Sequence, residues 1–424
     1  MKKNLTRFVG SFMLLITTAC GKSGTDPEPE PTPDPKPEPT PVVAENLSKE
    51  GTANCYVIMG EGEYSFEATV KGNGAKTDGL STPEKLSPES AALVWETTKG
   101  MLTDVTFADG KISFKASAMN GNAVIAAKAA DGTIIWSWHI WFPEDEIATS
   151  ETKTGYHVMN MNLGAMTATF SSAPDVRPYG LLYQWGRKDP FPAAPTVTGD
   201  TQTVGATLYG PDGSEVKIVN SPWSSVYDNT IAYATANPTE CLSNYAQYNS
   251  SRDWLNPTDS TGALWGNPQG YVSNSDNKYV NKGAKSFYDP CPVGYRVPPA
   301  DVFRTFTTSG GYSQDPSTFD VVDANDDGVI DVMDYNYGWF FNMKSGSLFF
   351  PAAARYDGSY AMLMGSKSGL WGSYWGNCPA KTYGGASGLS FCVLSFMNEA
   401  AGVSVSATAS AGRADAYSVR CVKE

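Results

Sequence analysis

The sequence predicts a mainly β protein with some helix: an N-terminal β-sandwich, then a larger α+β region with long loops. Three observations predict it. Charged residues are only 18% of the chain, while Gly and Tyr abound, a composition that suits pleated, half-buried surfaces. Between about residues 44 and 145, short apolar runs alternate with turn signals, the pattern of a sandwich. From about 147 onward helical periodicity is poor, and its best helix candidate is the single segment Ala300–Phe306.

The first twenty residues read as a signal peptide. Lys2, Lys3 and Arg7 precede an apolar run, Phe8 to Ile16, too short to span a bilayer. Thr17-Thr-Ala-Cys20 followed by Gly21 resembles a bacterial lipoprotein processing site, with Thr17 where that pattern usually has Leu. The resemblance implies that Cys20 becomes the lipid-modified first residue, and so an outer-membrane, surface-exposed lipoprotein. The alternative is ordinary secretion with cleavage nearby. Residues 21–43 form a Pro-rich acidic linker, with every second residue from Pro27 to Pro41 a proline. At 3.1 Å per residue in polyproline-II, those fifteen residues span roughly 45 Å. A net charge of −13 argues against nucleic acid as a partner.

Residues 44–145 are read as the sandwich. Its strands are expected over 55–59, 64–71, 91–97, 105–107, 112–116, 123–129 and 133–142. Asp109-Gly110 and Asp131-Gly132 are hairpin signals between them. In the last strand Ile134, Trp136, Trp138, Ile140 and Phe142 share one face, and Ile135, Ser137, His139 and Trp141 the other. Both faces are therefore expected to be covered. The acidic stretch 143–146 marks the boundary, and 146–424 is the second domain, with 200–285 a long decorated insertion. Late in it, Asp289-Pro-Cys-Pro-Val-Gly-Tyr-Arg-Val-Pro298 reads as a rigid corner. Pro290 and Pro292 fix φ and withhold donors, and Gly294 permits a positive φ.

Six stretches occur in order: Asn160–Ala165, Leu182–Phe191, the corner 289–298, Leu348–Ala352, Gly372–Trp375 and Val419–Val422. That series resembles the Fibrobacter succinogenes major paralogous domain, common in surface lipoproteins of gut Bacteroidetes. The resemblance covers the C-terminal two thirds and implies a C-type-lectin-like fold, distantly similar to formylglycine-generating enzymes. Thr52–Val57 and Val70–Asn73 are similar to the sandwich module found ahead of that domain, sometimes in fimbrillin-type proteins. One departure is Asn160-Met161, where the family more often has Asp-Arg, which puts a buried ion pair in doubt.

Cys20 aside, six cysteines remain, and six allow fifteen pairings that sequence alone leaves open. Family position implies Cys291–Cys421. Cys378 and Cys392, fourteen apart around a Gly-rich turn, are the next candidate pair, and buried reduced thiols are the alternative. The paired catalytic cysteines of formylglycine-generating enzymes have no counterpart here.

The sharpest chemical motif is the twelve-residue stretch from Asp323 to Asp334. Read as a calcium loop, Asp323, Asn325, Asp327, Asp331 and Asp334 stand at positions one, three, five, nine and twelve. The Val329 carbonyl stands at seven, Gly328 at the sharp turn, and Ile330 can anchor the loop to a core. Hard Ca2+ takes six to eight oxygens, so a structural Ca2+ is expected, of weak extracellular affinity because Asp334 replaces the bidentate Glu. The alternative is an acidic solvated turn.

The sugar-binding motifs of calcium-dependent lectins do not occur; Trp265-Gly-Asn267 and Trp375-Gly-Asn377 are only superficially similar. Trp223, Trp254, Trp265, Trp371 and Trp375 are candidates to stack on sugars, against core roles for the same residues. Of two histidines, His139 reads as structural and His157 has no nucleophile nearby. The leading expectation is a non-enzymatic surface lipoprotein whose lectin-like domain binds a glycan or protein. The alternative is a fimbrial structural or tip subunit, with Lys49-Glu50 a weak cleavage point, and a third reading is a polysaccharide-degrading accessory.

Overall fold

Nine residues, Ile134–Phe142, show how the molecule is built. In the computed structural model this strand has Trp136, Trp138, Ile140 and Phe142 packed into one core and Trp141 into another, so both faces are covered. The structure describes residues 44–169, 171, 173–197, 204–220, 229–243, 253–255, 262–268, 271–272, 279–280, 283–379, 385–394 and 402–424. Among them strands predominate and helices are few and short.

The N-terminal strands are β1 (Glu45–Asn46), β2 (Cys55–Val57), β3 (Gly62–Glu67), β4 (Ser90–Glu96), β5 (Leu102–Ala108), β6 (Lys111–Ala116), β7 (Gly121–Lys128) and β8 (Ile134–Phe142). All seven expected strands are present; β1, two residues long, carries too little pattern to be read from sequence. One sheet has the order β1-β3-β6-β5. The other runs from the short hairpin Glu215–Val216 and Leu208–Tyr209 through β4, β7 and β8 to β2. Phe66, Ile112, Phe114, Ile125, Trp136 and Trp138 fill the space between. Asp109 and Gly110, at φ of 51° and 80°, make the tight turn that joins β5 to β6.

The second region is built on a sheet whose strands come from distant stretches. Phe191–Pro192, Leu181–Gln184, Ala416–Ser418, Trp371–Pro379, Gly385–Leu394, Gly402–Gly412 and Tyr312–Ser313 lie side by side in that order. Ala300–Phe306 is helical as expected, but as a 3₁₀ helix. Its Phe306 stacks on Phe341 with ring centroids 4.1 Å apart. The expected loop character of 200–285 misses a six-residue α-helix, Ile231–Ala236, capped by the Thr230 side chain. The chain end returns to the start of this region: Val422 pairs with Val158 and with Arg296.

The described residues form one compact unit. The sheet of the sandwich is extended by residues 208–216, where Tyr209 pairs with Glu96 of β4. Asn54 Nδ2 donates to the carbonyls of Phe287 (2.8 Å) and Asp289 (2.9 Å). Asn122 Nδ2 donates to Gly164 O at 2.8 Å, and Trp141 Nε1 to Ala165 O at 2.7 Å. Gly72 shows how close the approach is, since a Cβ there would lie 2.2 Å from the Phe287 carbonyl oxygen. The sandwich is thus the floor on which the second region rests.

Candidate functional site

The corner at 289–298 is held by its own charges. Asp289 accepts the amides of Cys291 and Val297, both at 2.8 Å, which folds eight residues around one carboxylate. Lys285 donates to the carbonyls of Cys291 (2.8 Å), Pro292 (3.0 Å) and Tyr295, and lies 3.6 Å from Asp289. Burial pushes the Asp289 carboxyl up, against the pull of Lys285 and those two amides. Gly294 has φ +75°, as its place in the motif predicts. The Cys291–Cys421 disulfide is formed, bridging 130 residues with Cα atoms 6.1 Å apart.

The second cysteine pair is corrected. Cys378 and Cys392 are both free and buried. They lie on adjacent antiparallel strands, but Cys392 is registered opposite Trp371, seven positions from Cys378 along its strand. At about 3.3 Å per residue that separation lies far beyond disulfide reach. Cys378 Sγ takes a bond from Asn267 Nδ2 at 3.3 Å, and Cys392 Sγ lies 3.1 Å from Ser404 Oγ. Burial pushes the Cys378 thiol up to about 11, so it is a poor nucleophile.

The acidic loop folds around its own amides. Asp323 accepts from the amides of Asp327 (3.3 Å) and Gly328 (2.7 Å). Asp334, buried, accepts from Ala324 at 2.7 Å and Asp331 at 2.9 Å, closing the loop from its far end. Asn325 Nδ2 donates to Asp327 at 3.0 Å, and Asp331 accepts from Met333 at 2.6 Å. Gly328 takes φ +83° at the turn, Val329 is exposed, and Ile330 packs against the core as expected. Among the described residues no three His, Cys, Asp or Glu side chains converge as a metal-holding group.

The tryptophans proposed to stack on sugars are mostly core. Trp254, Trp265 and Trp375 are fully buried, which bears out the core role weighed against sugar stacking. Burying about 150–250 Å² of each ring stabilises the fold by roughly 4–6 kcal/mol at most, a stronger claim on these residues than a surface role. The two Trp-Gly-Asn stretches meet inside: Asn267 Nδ2 donates to Asn377 Oδ1 at 3.0 Å. Of the described candidates Trp371 alone keeps partial exposure, with the Arg355 guanidinium 4.3 Å above its ring. Trp223 and Cys20 lie outside the described residues.

His139 is structural, as expected: buried, 2.9 Å from Asn122 Oδ1, with its pKa lowered to about 3 by burial. His157 is exposed on the strand His157–Met159. Sequence reasoning missed Lys188, which is buried between Asp189 (2.7 Å) and Ser137 Oγ with Trp136 beneath it at 4.7 Å. A serine, a lysine and a carboxylate together invite a catalytic reading. All three are almost fully buried, and the hollow that Lys188 and Asp189 line holds only about 10 Å³.

Two of the concavities lined by described residues are large enough to hold a small ligand. A cleft of about 320 Å³ lies between Pro192 and the hairpin 208–216. Its floor is Leu208, Val216, Ile218 and Tyr356, and its rim carries Thr207, Glu215, Lys217 and Asn220. A wider groove of about 560 Å³ lies between β2 and the corner, lined by Tyr56, Val57, Met59, Ile147, Val293 and Tyr295, among others. Among the described residues no helix is long and apolar enough to cross a membrane. No family model, no curated protein and no solved structure matches the chain.

Proposed function

We propose that this chain is a lipid-anchored surface protein that binds a glycan, with the 320 Å³ cleft as its site. The observation that carries the reading is the make-up of that cleft. An apolar floor suits the C–H face of a pyranose, while Glu215, Lys217, Asn220 and Thr207 offer donors and acceptors to its hydroxyls. The cleft lies in the inserted stretch after residue 200, where loops on a rigid scaffold carry function. The leader ending at Cys20 and the linker 21–43 support display away from a membrane surface.

A glycan array probed with the chain lacking its leader tests this. At least one glycan class is expected to bind, and Lys217→Ala with Asn220→Ala is expected to weaken it tenfold or more. A blank array together with a blank mucin pull-down sinks the proposal.

Structural calcium at 323–334 belongs to the same reading. Oxygens at five of the loop positions and the sharp turn at Gly328 support it. Melting with millimolar Ca2+ is expected a few degrees above melting with chelator, and Asp327→Ala is expected to abolish the difference. Equal melting temperatures for the parent chain in both buffers remove the site.

A second reading, a fimbrial subunit, draws on β1, which is exposed, two residues long and terminal in its sheet. Fibres that assemble unchanged in a deletion strain count decisively against it.

A further inference from the structure

The six-stranded sheet ends at β2, and its next strand position is begun and then abandoned. Cys55 makes an isolated parallel bridge with Pro292. Beyond it the corner turns off at Gly294 (φ +75°), and among the described residues no strand pairs with Val57 or Met59 on that side. The β2–β8 ladder shows which groups face outward. His139 N donates to Asn54 O at 2.8 Å and Ile58 N to Trp141 O at 2.9 Å, with Val57 opposite Trp141 in parallel register. Even-numbered residues therefore bond β8, and the amides and carbonyls of Val57 and Met59 point away from it. Unpaired edge groups of this kind are a template for another strand.

The space beside this edge has the shape and chemistry of a strand site. The groove of about 560 Å³ is walled by Val57 and Met59 on one side and by Pro292, Val293 and Tyr295 on the other. Leu47, Ile147 and Met159 make it apolar, and Met59 is 59% exposed. Its charged lining residues are Glu50 and Glu146, both exposed, on a chain of net charge −13. A second copy of so acidic a chain is electrostatically disfavoured there, and a basic partner is favoured.

We propose that this groove takes an extended segment of a partner protein, apolar at alternate positions and flanked by lysine or arginine, which adds as a strand to β2. Main-chain hydrogen bonds to Val57 and Met59 supply the register, apolar side chains fill the groove, and the basic flanks meet Glu50 and Glu146. The proposal extends the reading of the chain as an anchored binding protein but uses a different surface from the glycan cleft, so either can fail alone.

The test is fluorescence anisotropy on the chain without its leader, with a labelled nonapeptide that alternates valine and threonine between terminal lysines. Controls carry glutamate for lysine, or proline at alternate positions to remove amide donors. The lysine peptide is expected to bind, and both controls to bind at least tenfold more weakly. Val57→Pro is expected to cost tenfold or more without unfolding, because that N–H points away from the β8 ladder. Should Val57→Pro misfold, Glu50→Lys with Glu146→Lys serves instead, and is expected to transfer the preference to the glutamate peptide. No binding by the lysine peptide, or binding indifferent to these substitutions, overturns the proposal. Dimerisation in sedimentation that Val57→Pro abolishes makes the occupant a second copy and also overturns it.

Discussion

His139 sits on the face of β8 turned away from the sandwich core, with Asn122 at 2.9 Å and the Tyr183 hydroxyl 3.4 Å from its other nitrogen. Burial lowers its pKa from 6.5 to about 3, so the folded protein holds it neutral. Between those values the unfolded chain binds the extra proton, and stability therefore rises with pH across that window. The expected loss on going from pH 7 to 4 is on the order of a few kcal/mol from this residue, read as urea midpoints. His139→Gln is expected to flatten that part of the profile, and an unchanged slope removes the assignment. The structural role of His139 was legible because tryptophans surround it in sequence. Arg420 was not legible in the same way. Its guanidinium donates to Asn162 Oδ1 (2.7 Å) and to the carbonyls of Asn160 (3.1 Å) and Phe349 (2.9 Å), and these partners lie 71 or more residues away.

The corner at 289–298 behaves as an element in its own right. Two prolines and a glycine predict its shape, and Asp289, Lys285 and the Cys291–Cys421 bond hold it. Closing a loop across 130 residues restricts the unfolded chain, and the chain-entropy estimate is about 4–5 kcal/mol. Cys291→Ser with Cys421→Ser is expected to lower urea stability by roughly 3–5 kcal/mol; a loss under 1 kcal/mol means the corner is held by Asp289 and Lys285 alone. The hairpin that carries Cys378 and Cys392 teaches the opposite lesson. A spacing of fourteen residues around a turn is compatible with pairing, but strand register decides which residues face each other. Ala300–Phe306 shows a smaller limit: over seven residues an apolar pattern does not separate an α-helix from a 3₁₀ helix, and the segment is 3₁₀, with Phe306 packed on Phe341 and Phe350.

At the scale of the whole molecule, two cores meet across β8, and side chains from the sandwich bond the backbone of the second region at Gly164, Ala165, Phe287 and Asp289. Unfolding the sandwich alone leaves these carbonyl acceptors without their donors and withdraws Trp141 from the second core. Calorimetry of the chain without its leader is therefore expected to show one cooperative transition, with calorimetric and van't Hoff enthalpies in agreement. Two resolved transitions mean that the regions unfold separately.

Local pattern by itself determined the mainly β class, the seven sandwich strands, the Asp-Gly turns and the shape of the corner, because each depends on residues within one period or one turn of each other. Only tertiary structure decided that Trp254, Trp265 and Trp375 are core, that Cys378 and Cys392 stay apart, and that β2 is the last described strand of its sheet. Those outcomes depend on contacts between residues distant in sequence, and side-chain type alone does not say which surface another part of the chain will cover.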